Sequence, residues 1–297
     1  MAKKFQGIYA VLVTPFTKDD RVDEKTLRKH IRNLIDKGKV DGIMPTGSTG
    51  ECAALSDEER MLVGDIAISE VNGAVPVVVG TSAASTTAAI RFSQYAQKAG
   101  ADGVLTLPGY YSHPDPREIV AHYKALSKNV EIPIMVYNNP GPSGVDMKPD
   151  LIAKIAENKN VAYVKESSGD MTRVASIQRL CGDKLNVFCG CDSLALEMFL
   201  MGACGWVAPP ANLIPKQCGQ LFELGYVKKD IAKAKKLYLK LLPLFTMFES
   251  SGKYVQLTKA GLEILGLPYG VPRQPLLPPD KGQLAELKKI LKEVANY

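Results

Sequence analysis

Short apolar runs of strand length, each followed by a polar or proline-bearing turn and then a stretch of helical periodicity, recur eight times between Gly7 and Leu224. A strand that runs straight into a helix is carried back to the starting end of its sheet, so repeating the unit makes every strand parallel. Strands buried on both faces read as continuous apolar runs rather than alternating ones. The runs here are of that kind: Ile8–Val13 before Thr14-Pro15, Gly42–Met44 before Pro45, Val75–Thr81, Gly103–Pro108, Pro133–Tyr137, Val161–Val164, Leu185–Gly190 and Gly205–Ala208.

The intervening stretches carry helix signals. Asp23 is placed as an N-cap for residues 23–36, where Leu27, Ile31, Leu34 and Ile35 share one face. Ser56-Asp57-Glu58-Glu59 has the form of a capping box. Further helices are predicted over 85–99, 116–127, 148–157, 171–181, 193–201 and 215–224. Eight strand–helix units over about 225 residues predict an α/β (β/α)₈ barrel, the TIM barrel. A doubly wound open sheet is the other arrangement, but it seldom uses eight near-regular units. Residues 229–250, 254–265 and 281–295 also read as helices, separated by Gly252 and a proline-rich segment over 267–280. The expected division is therefore a barrel over 1–226 and a C-terminal helical extension over 227–297.

Composition narrows the function. The chain of 297 residues is 46% hydrophobic and 23% charged, with a net charge of +6 spread over helical segments. No basic stretch interleaves with aromatics, which argues against nucleic acid. A mild positive balance slightly favours an anionic small substrate. No apolar run approaches the roughly 18 residues of a membrane span, and no signal-like apolar segment follows Met1-Ala2-Lys3-Lys4. A cytoplasmic protein without membrane partners is expected. The six cysteines form no CxxC pair, and the three histidines belong to no metal motif, so neither a metal nor another cofactor is expected. Proton chemistry then falls to Lys, Tyr, Ser, Thr and carboxylates.

Barrel enzymes carry their chemistry at the C-terminal ends of strands. That rule selects Thr14, then Ser48, Thr49 and Glu51, then Tyr110 and Tyr111, Tyr137 and Asn138, Lys165, Glu166 and Ser167, Gly190 and Asp192, and finally Trp206 and Asn212. Lys165 ends the apolar run Val161–Val164. Burial disfavours the charged form of a lysine, and a neutral amine attacks carbonyl carbon to give a Schiff base. An imine with a 2-oxo acid is an electron sink that lets a bond next door form or break. Tyr137 is a candidate proton carrier. Gly47-Ser48-Thr49-Gly50 offers hydroxyls and backbone N–H groups to a carboxylate.

These residues resemble the dihydrodipicolinate synthase / N-acetylneuraminate lyase family of lysine-dependent aldolases and lyases. The resemblance runs from Gly7 to about Leu277 and rests on Gly47–Glu51, Tyr110-Tyr111, Tyr137-Asn138-Asn139-Pro140 and Val164–Asp170. It implies that Lys165 forms the Schiff base, that Tyr137 transfers the proton, and that Ser48 and Thr49 bind the substrate carboxylate, with Ser48 also among the catalytic residues. It implies further that Tyr111 completes a proton relay across a dimer interface, in a homotetramer built as a dimer of dimers. Gly190, Asp192 and Val207 complete the expected substrate-binding set.

Departures from the family pattern bear on the substrate. The synthase branch carries an arginine two residues after the proline of Tyr-Asn-x-Pro, where it clamps the carboxylate of the aldehyde partner; here Pro142 stands there. Ala84 and Ala88 occupy the positions at which lysine-regulated synthases carry an amide and a carboxylate. The neuraminate branch carries Asp-Glu after strand seven and a serine after strand eight, against Asp192-Ser193 and Ala208-Pro209 here. The reading that remains is a Schiff-base lyase or aldolase acting on pyruvate or another short 2-oxo acid, such as a 2-keto-3-deoxy sugar acid or 4-hydroxy-2-oxoglutarate, by C–C cleavage or condensation or by dehydration. The alternatives are 4-hydroxy-tetrahydrodipicolinate synthesis from pyruvate and aspartate semialdehyde, and a non-catalytic regulatory barrel.

Overall fold

A computed structural model describes residues 4–295. Its eight strands are β1 (Gly7–Val11), β2 (Gly42–Met44), β3 (Val78–Gly80), β4 (Gly103–Thr106), β5 (Ile134–Asn138), β6 (Val161–Glu166), β7 (Asn186–Cys189) and β8 (Gly205–Ala208). All pair in parallel, in the order β2-β1-β8-β7-β6-β5-β4-β3. The two ends of that order meet. Ile43 bridges Val77 in parallel, Ile43 N–H donates to the Pro76 carbonyl and Gly80 N–H to the Pro45 carbonyl, both at 3.0 Å. The sheet is thus closed, as the eightfold repeat predicts.

The helices between strands are α1 (Glu24–Arg32), α2 (Asp57–Val71), α3 (Thr86–Ala99), α4 (Pro116–Asn129), the single turn α5 (Pro140–Ser143), α6 (Pro149–Ile155), α7 (Thr172–Cys181), α8 (Ala195–Leu200) and α9 (Pro215–Phe222). Asp23 caps α1 by accepting from Thr26 N–H at 3.0 Å. Ser56 and Glu59 form the reciprocal capping box, at 3.2 and 2.9 Å. Several elements are shorter than the apolar pattern suggests. β1 ends at Val11, although Leu12 still donates to the Met44 carbonyl at 3.0 Å; Pro15 then has no N–H to give. α1 stops at Arg32, and residues 33–37 continue as a wider π turn.

Alternation along the strands sorts side chains into two layers. Ile8, Ala10, Val104, Val136, Val164 and Trp206 pack outward under the helices. Phe5, Tyr9, Tyr163 and Phe188 fill the barrel interior with Val11, Met44, Met135 and Val207. The rings of Phe5 and Tyr163 stack at 4.7 Å, and Phe188 meets Tyr9 edge-on at 5.2 Å. Room for three of these rings comes from glycines opposite them. A Cβ at Gly42 would overlap the Tyr9 ring, one at Gly103 would lie 2.8 Å from Phe5, and one at Gly205 would overlap Phe188.

Three helices follow the barrel: α10 (Ile231–Ser251), α11 (Tyr254–Ile264) and α12 (Lys281–Ala295). Leu237, Leu241, Phe245, Leu257, Leu262, Leu287 and Leu291 join the same buried cluster as the outward strand residues. Gln217 of α9 donates to the Val294 carbonyl at 3.1 Å. Gly252, at φ 64°, takes the left-handed conformation that ends α10 and lets α11 turn back over the barrel mouth. No described helix is long and apolar enough to cross a membrane.

Candidate active site

β5 and β6 lie in register, Tyr137 opposite Lys165 and Asn138 opposite Glu166. Alternation sends the first pair inward and the second outward. The inward pair makes the centre of the site. Lys165 is 6% exposed, with its Nζ 4.0 Å from the centroid of the Tyr137 ring. The Tyr137 hydroxyl accepts from Asn139 Nδ2 at 2.8 Å, which leaves its own proton free to be donated. The outward pair is a brace. The Glu166 carboxylate accepts from Asn138 Nδ2 at 3.0 Å and from Ser168 N–H at 2.7 Å, while Asn138 Oδ1 accepts from Met147 N–H at 3.0 Å. Burial pushes the Glu166 carboxyl up, and these donors partly offset it.

Gly190, after β7, is where the backbone must come close. A Cβ there would overlap the Ser167 hydroxyl and sit 2.9 Å from the Glu166 carbonyl and 3.0 Å from Lys165 Cε. Only glycine leaves Lys165 its place. Across the mouth, the turn holding Ser48 and Thr49 is bracketed by two side-chain-bearing residues in the left-handed region, Thr46 at φ 55° and Glu51 at φ 59°. Such residues cost of order 1–3 kcal/mol each and persist only where the surroundings hold them. Thr46 Oγ1 lies within hydrogen-bond reach of the Pro45 and Gly80 carbonyls, at 2.8 and 2.9 Å, and Thr14 Oγ1 donates to the Gly50 carbonyl at 2.8 Å.

Lys165, Tyr137, Ser48, Thr49 and Gly190 all line one cleft of about 840 Å³ at the C-terminal mouth of the barrel. Pro142 lines it too, as do Glu249, Tyr254 and Gln256 from the C-terminal helices. Those last three were not among the strand-end candidates. The Gly252 break between two predicted helices was the only sequence signal near them. Cys191 faces the cleft as well, but burial pushes its thiol up to about 12, so it is not a thiolate competitor for the substrate carbonyl.

Of the residues expected to act in catalysis or substrate binding, three lie elsewhere. Asp192, expected to touch substrate, is fully buried behind the cleft wall. The 3₁₀ turn over Asp192–Leu194 tucks it under Trp206, whose Nε1–H donates to Asp192 Oδ1 at 2.9 Å. Burial, then the nearby Glu249 carboxylate, push the Asp192 carboxyl well above its ordinary range. Val207, also expected at the substrate, is buried deep in the interior layer, because inward residues of β8 below Pro209 meet other side chains instead of the cleft. Tyr111 lies outside the cleft and is 89% exposed, on the loop after β4.

The model of the dihydrodipicolinate synthetase family matches residues 4–294. The chain belongs to that family. It is 38% identical to a 4-hydroxy-tetrahydrodipicolinate synthase of Pelobacter propionicus, over 97% of this chain and 98% of that one. A dihydrodipicolinate synthase from Acinetobacter baumannii, solved in complex with pyruvate, superposes with a TM-score of 0.92 at 33% identity, covering 98% of both chains. A prophage protein of the same family from E. coli K12, also in complex with pyruvate, superposes with a TM-score of 0.92 at 29% identity over 98% of this chain and 99% of that one. The chain is accordingly a lyase of the class I, lysine Schiff-base type.

Proposed function

We propose that Lys165 condenses with the keto carbon of pyruvate or a related 2-oxo acid, and that the second substrate or leaving group is neutral and hydroxylated. The observation that carries the first part is the convergence of Lys165, Tyr137, Ser48 and Thr49 on one cleft. The neutral amine attacks C2, water leaves, and an imine forms. In the cleavage direction the C4 hydroxyl gives up its proton as the C3–C4 bond breaks. The bond electrons pass into the imine to give an enamine. Protonation at C3 and hydrolysis of the imine then release pyruvate and free the lysine. In this reading Tyr137 carries the proton, and the Ser48–Thr49 turn receives the carboxylate.

Support for the second part comes from the cleft wall. Among the described residues lining it, Lys165 is the one basic side chain and Glu249 the one acidic side chain. Pro142 offers no donor where an arginine would clamp an acid. Asn139, Ser168, Tyr254 and Gln256 instead present neutral hydrogen-bonding groups suited to hydroxyls. A second reading, condensation of pyruvate with aspartate semialdehyde, is favoured by the name of the 38% identical relative. We also infer a homotetramer in which the exposed Tyr111 reaches a neighbouring subunit's mouth; a solution mass near a single 32.2 kDa chain would oppose it.

The test is borohydride reduction with pyruvate, followed by a substrate panel. A mass adduct on Lys165 is expected, and its absence would sink the Schiff-base assignment to that residue. In the panel, 2-keto-3-deoxy acids and pyruvate with glyceraldehyde are expected to turn over faster than pyruvate with aspartate semialdehyde. The reverse order would overturn the neutral-substrate reading alone.

A further inference from the structure

Glu51 is the residue in the Gly47–Glu51 motif with no part in the chemistry above. Its side chain and that of Lys259, on α11, are each 1% exposed, and Glu51 Oε1 stands 2.6 Å from Lys259 Nζ. Glu51 Oε2 accepts from Arg273 N–H at 2.8 Å. Lys259 Nζ also donates to the Val271 carbonyl at 3.1 Å and lies 4.1 Å from the centroid of the Phe16 ring. The Arg273 guanidinium packs over the same ring and bonds Glu59, Asp20 and the Ala54 carbonyl. Segments more than two hundred residues downstream therefore converge on the last residue of the turn that carries Ser48 and Thr49.

A buried ion pair is a poor source of net stability, because desolvating two charges offsets most of their attraction. It is a demanding source of geometry, since neither charge tolerates losing the other. This pair sits at a place where geometry is strained: Glu51 holds a left-handed φ of 59°, and its N–H donates back to the Ser48 carbonyl at 3.1 Å. Relaxing Glu51 would swing the Ser48 carbonyl with it and reshape the turn. Lys259 stands on the helix whose first residues, Tyr254, Val255 and Gln256, line the cleft. One helix thus both walls the cleft and anchors its opposite lip.

We propose that Glu51 and Lys259 are a positioning pair that holds the Gly47–Gly50 turn in the shape that receives the 2-oxo acid carboxylate. This rests on the reading that Ser48 and Thr49 bind that carboxylate. The pair touches no reacting atom and acts on substrate capture, not on the later steps.

The test compares Glu51→Gln/Lys259→Met with Ser48→Ala/Thr49→Val in the full-length enzyme. A single Lys259→Met change would strand a buried carboxylate and could unfold the chain; the double change removes both charges at similar volume. The readouts are the pyruvate concentration giving half-maximal borohydride trapping, the trapping rate at saturating pyruvate, and the melting temperature. For Glu51→Gln/Lys259→Met, half-saturation is expected to rise on the order of tenfold, with the saturated rate held within about threefold. Half-saturation unchanged in a folded protein overturns the proposal, and so does a loss confined to the saturated rate. If Ser48→Ala/Thr49→Val also leaves half-saturation unchanged, the carboxylate reading beneath it fails as well. If that variant raises half-saturation and the charge-pair variant does not, only the positioning role fails. Failure of Glu51→Gln/Lys259→Met to fold would also count against the proposal, since the pair would then be a fold requirement.

Discussion

Gly190→Ala puts one methyl group where three parts of the site already meet. The new Cβ would overlap the Ser167 hydroxyl, which can rotate away at little cost. It would also lie 2.9 Å from the Glu166 carbonyl, which is backbone inside the β6–β7 ladder and cannot rotate, and 3.0 Å from Lys165 Cε. Ordinary contact begins at 3.4 Å, so Lys165 Cε must retreat by about 0.4 Å, the difference of the two distances. Overpacking of this kind costs about 1–3 kcal/mol of stability. A displacement approaching 1 Å at a reacting group costs on the order of 100-fold in rate, so a loss of about tenfold in imine formation is expected here. The assay is the rate of borohydride-trapped adduct at saturating pyruvate, with the melting temperature measured in parallel. A lowered melting temperature with an unaltered trapping rate would show that Gly190 serves packing alone, and would refute the argument that it makes room for the lysine. An unaltered melting temperature together with an unaltered rate would refute the steric reading altogether.

Tyr137→Phe removes the hydroxyl while keeping the ring beside Lys165 Nζ. Adduct should still form, while turnover falls by about 100-fold to 10,000-fold; unchanged turnover would assign the proton to another group. Asp192→Asn tests the buried carboxyl. Its raised folded value means that the folded state holds the proton more tightly than the unfolded chain. The stability this contributes is full below the ordinary carboxyl range and is lost as pH rises through the raised value. A neutral amide keeps an acceptor for Trp206 Nε1–H and escapes that loss. The variant should melt about 2–4 °C above the parent at neutral to alkaline pH, with the advantage vanishing in acid. An equal or lower melting temperature above neutrality would contradict it.

The barrel was legible because parallel strands buried on both faces must be apolar throughout, and Ile8–Val13 or Val161–Val164 can hardly be anything else. Strand-end position puts Lys165, Tyr137, Ser48 and Thr49 among the candidates, and the structure brings all four to one cleft. Asp192 shows where that rule stops. It also follows a strand, yet a local 3₁₀ turn and one indole N–H direct it away from the cleft. Val207 lies off the cleft for a different reason: strand alternation sets which way a residue points, whereas depth in the barrel sets what its side chain meets. Glu249, Tyr254 and Gln256 were out of reach because α10 and α11 fold back over the mouth, a tertiary contact with no local periodicity to announce it.

The four rings of Phe5, Tyr9, Tyr163 and Phe188 have a kinetic consequence. They fill the barrel interior beneath the cleft, so among the described residues the cleft is a well that opens at the C-terminal mouth. Whatever enters second sits above whatever entered first. On the proposal that Lys165 binds the 2-oxo acid, that acid is held at the floor of the cleft and arrives before its partner. A partner bound too early corks the well, so excess second substrate should act as an inhibitor competing with pyruvate.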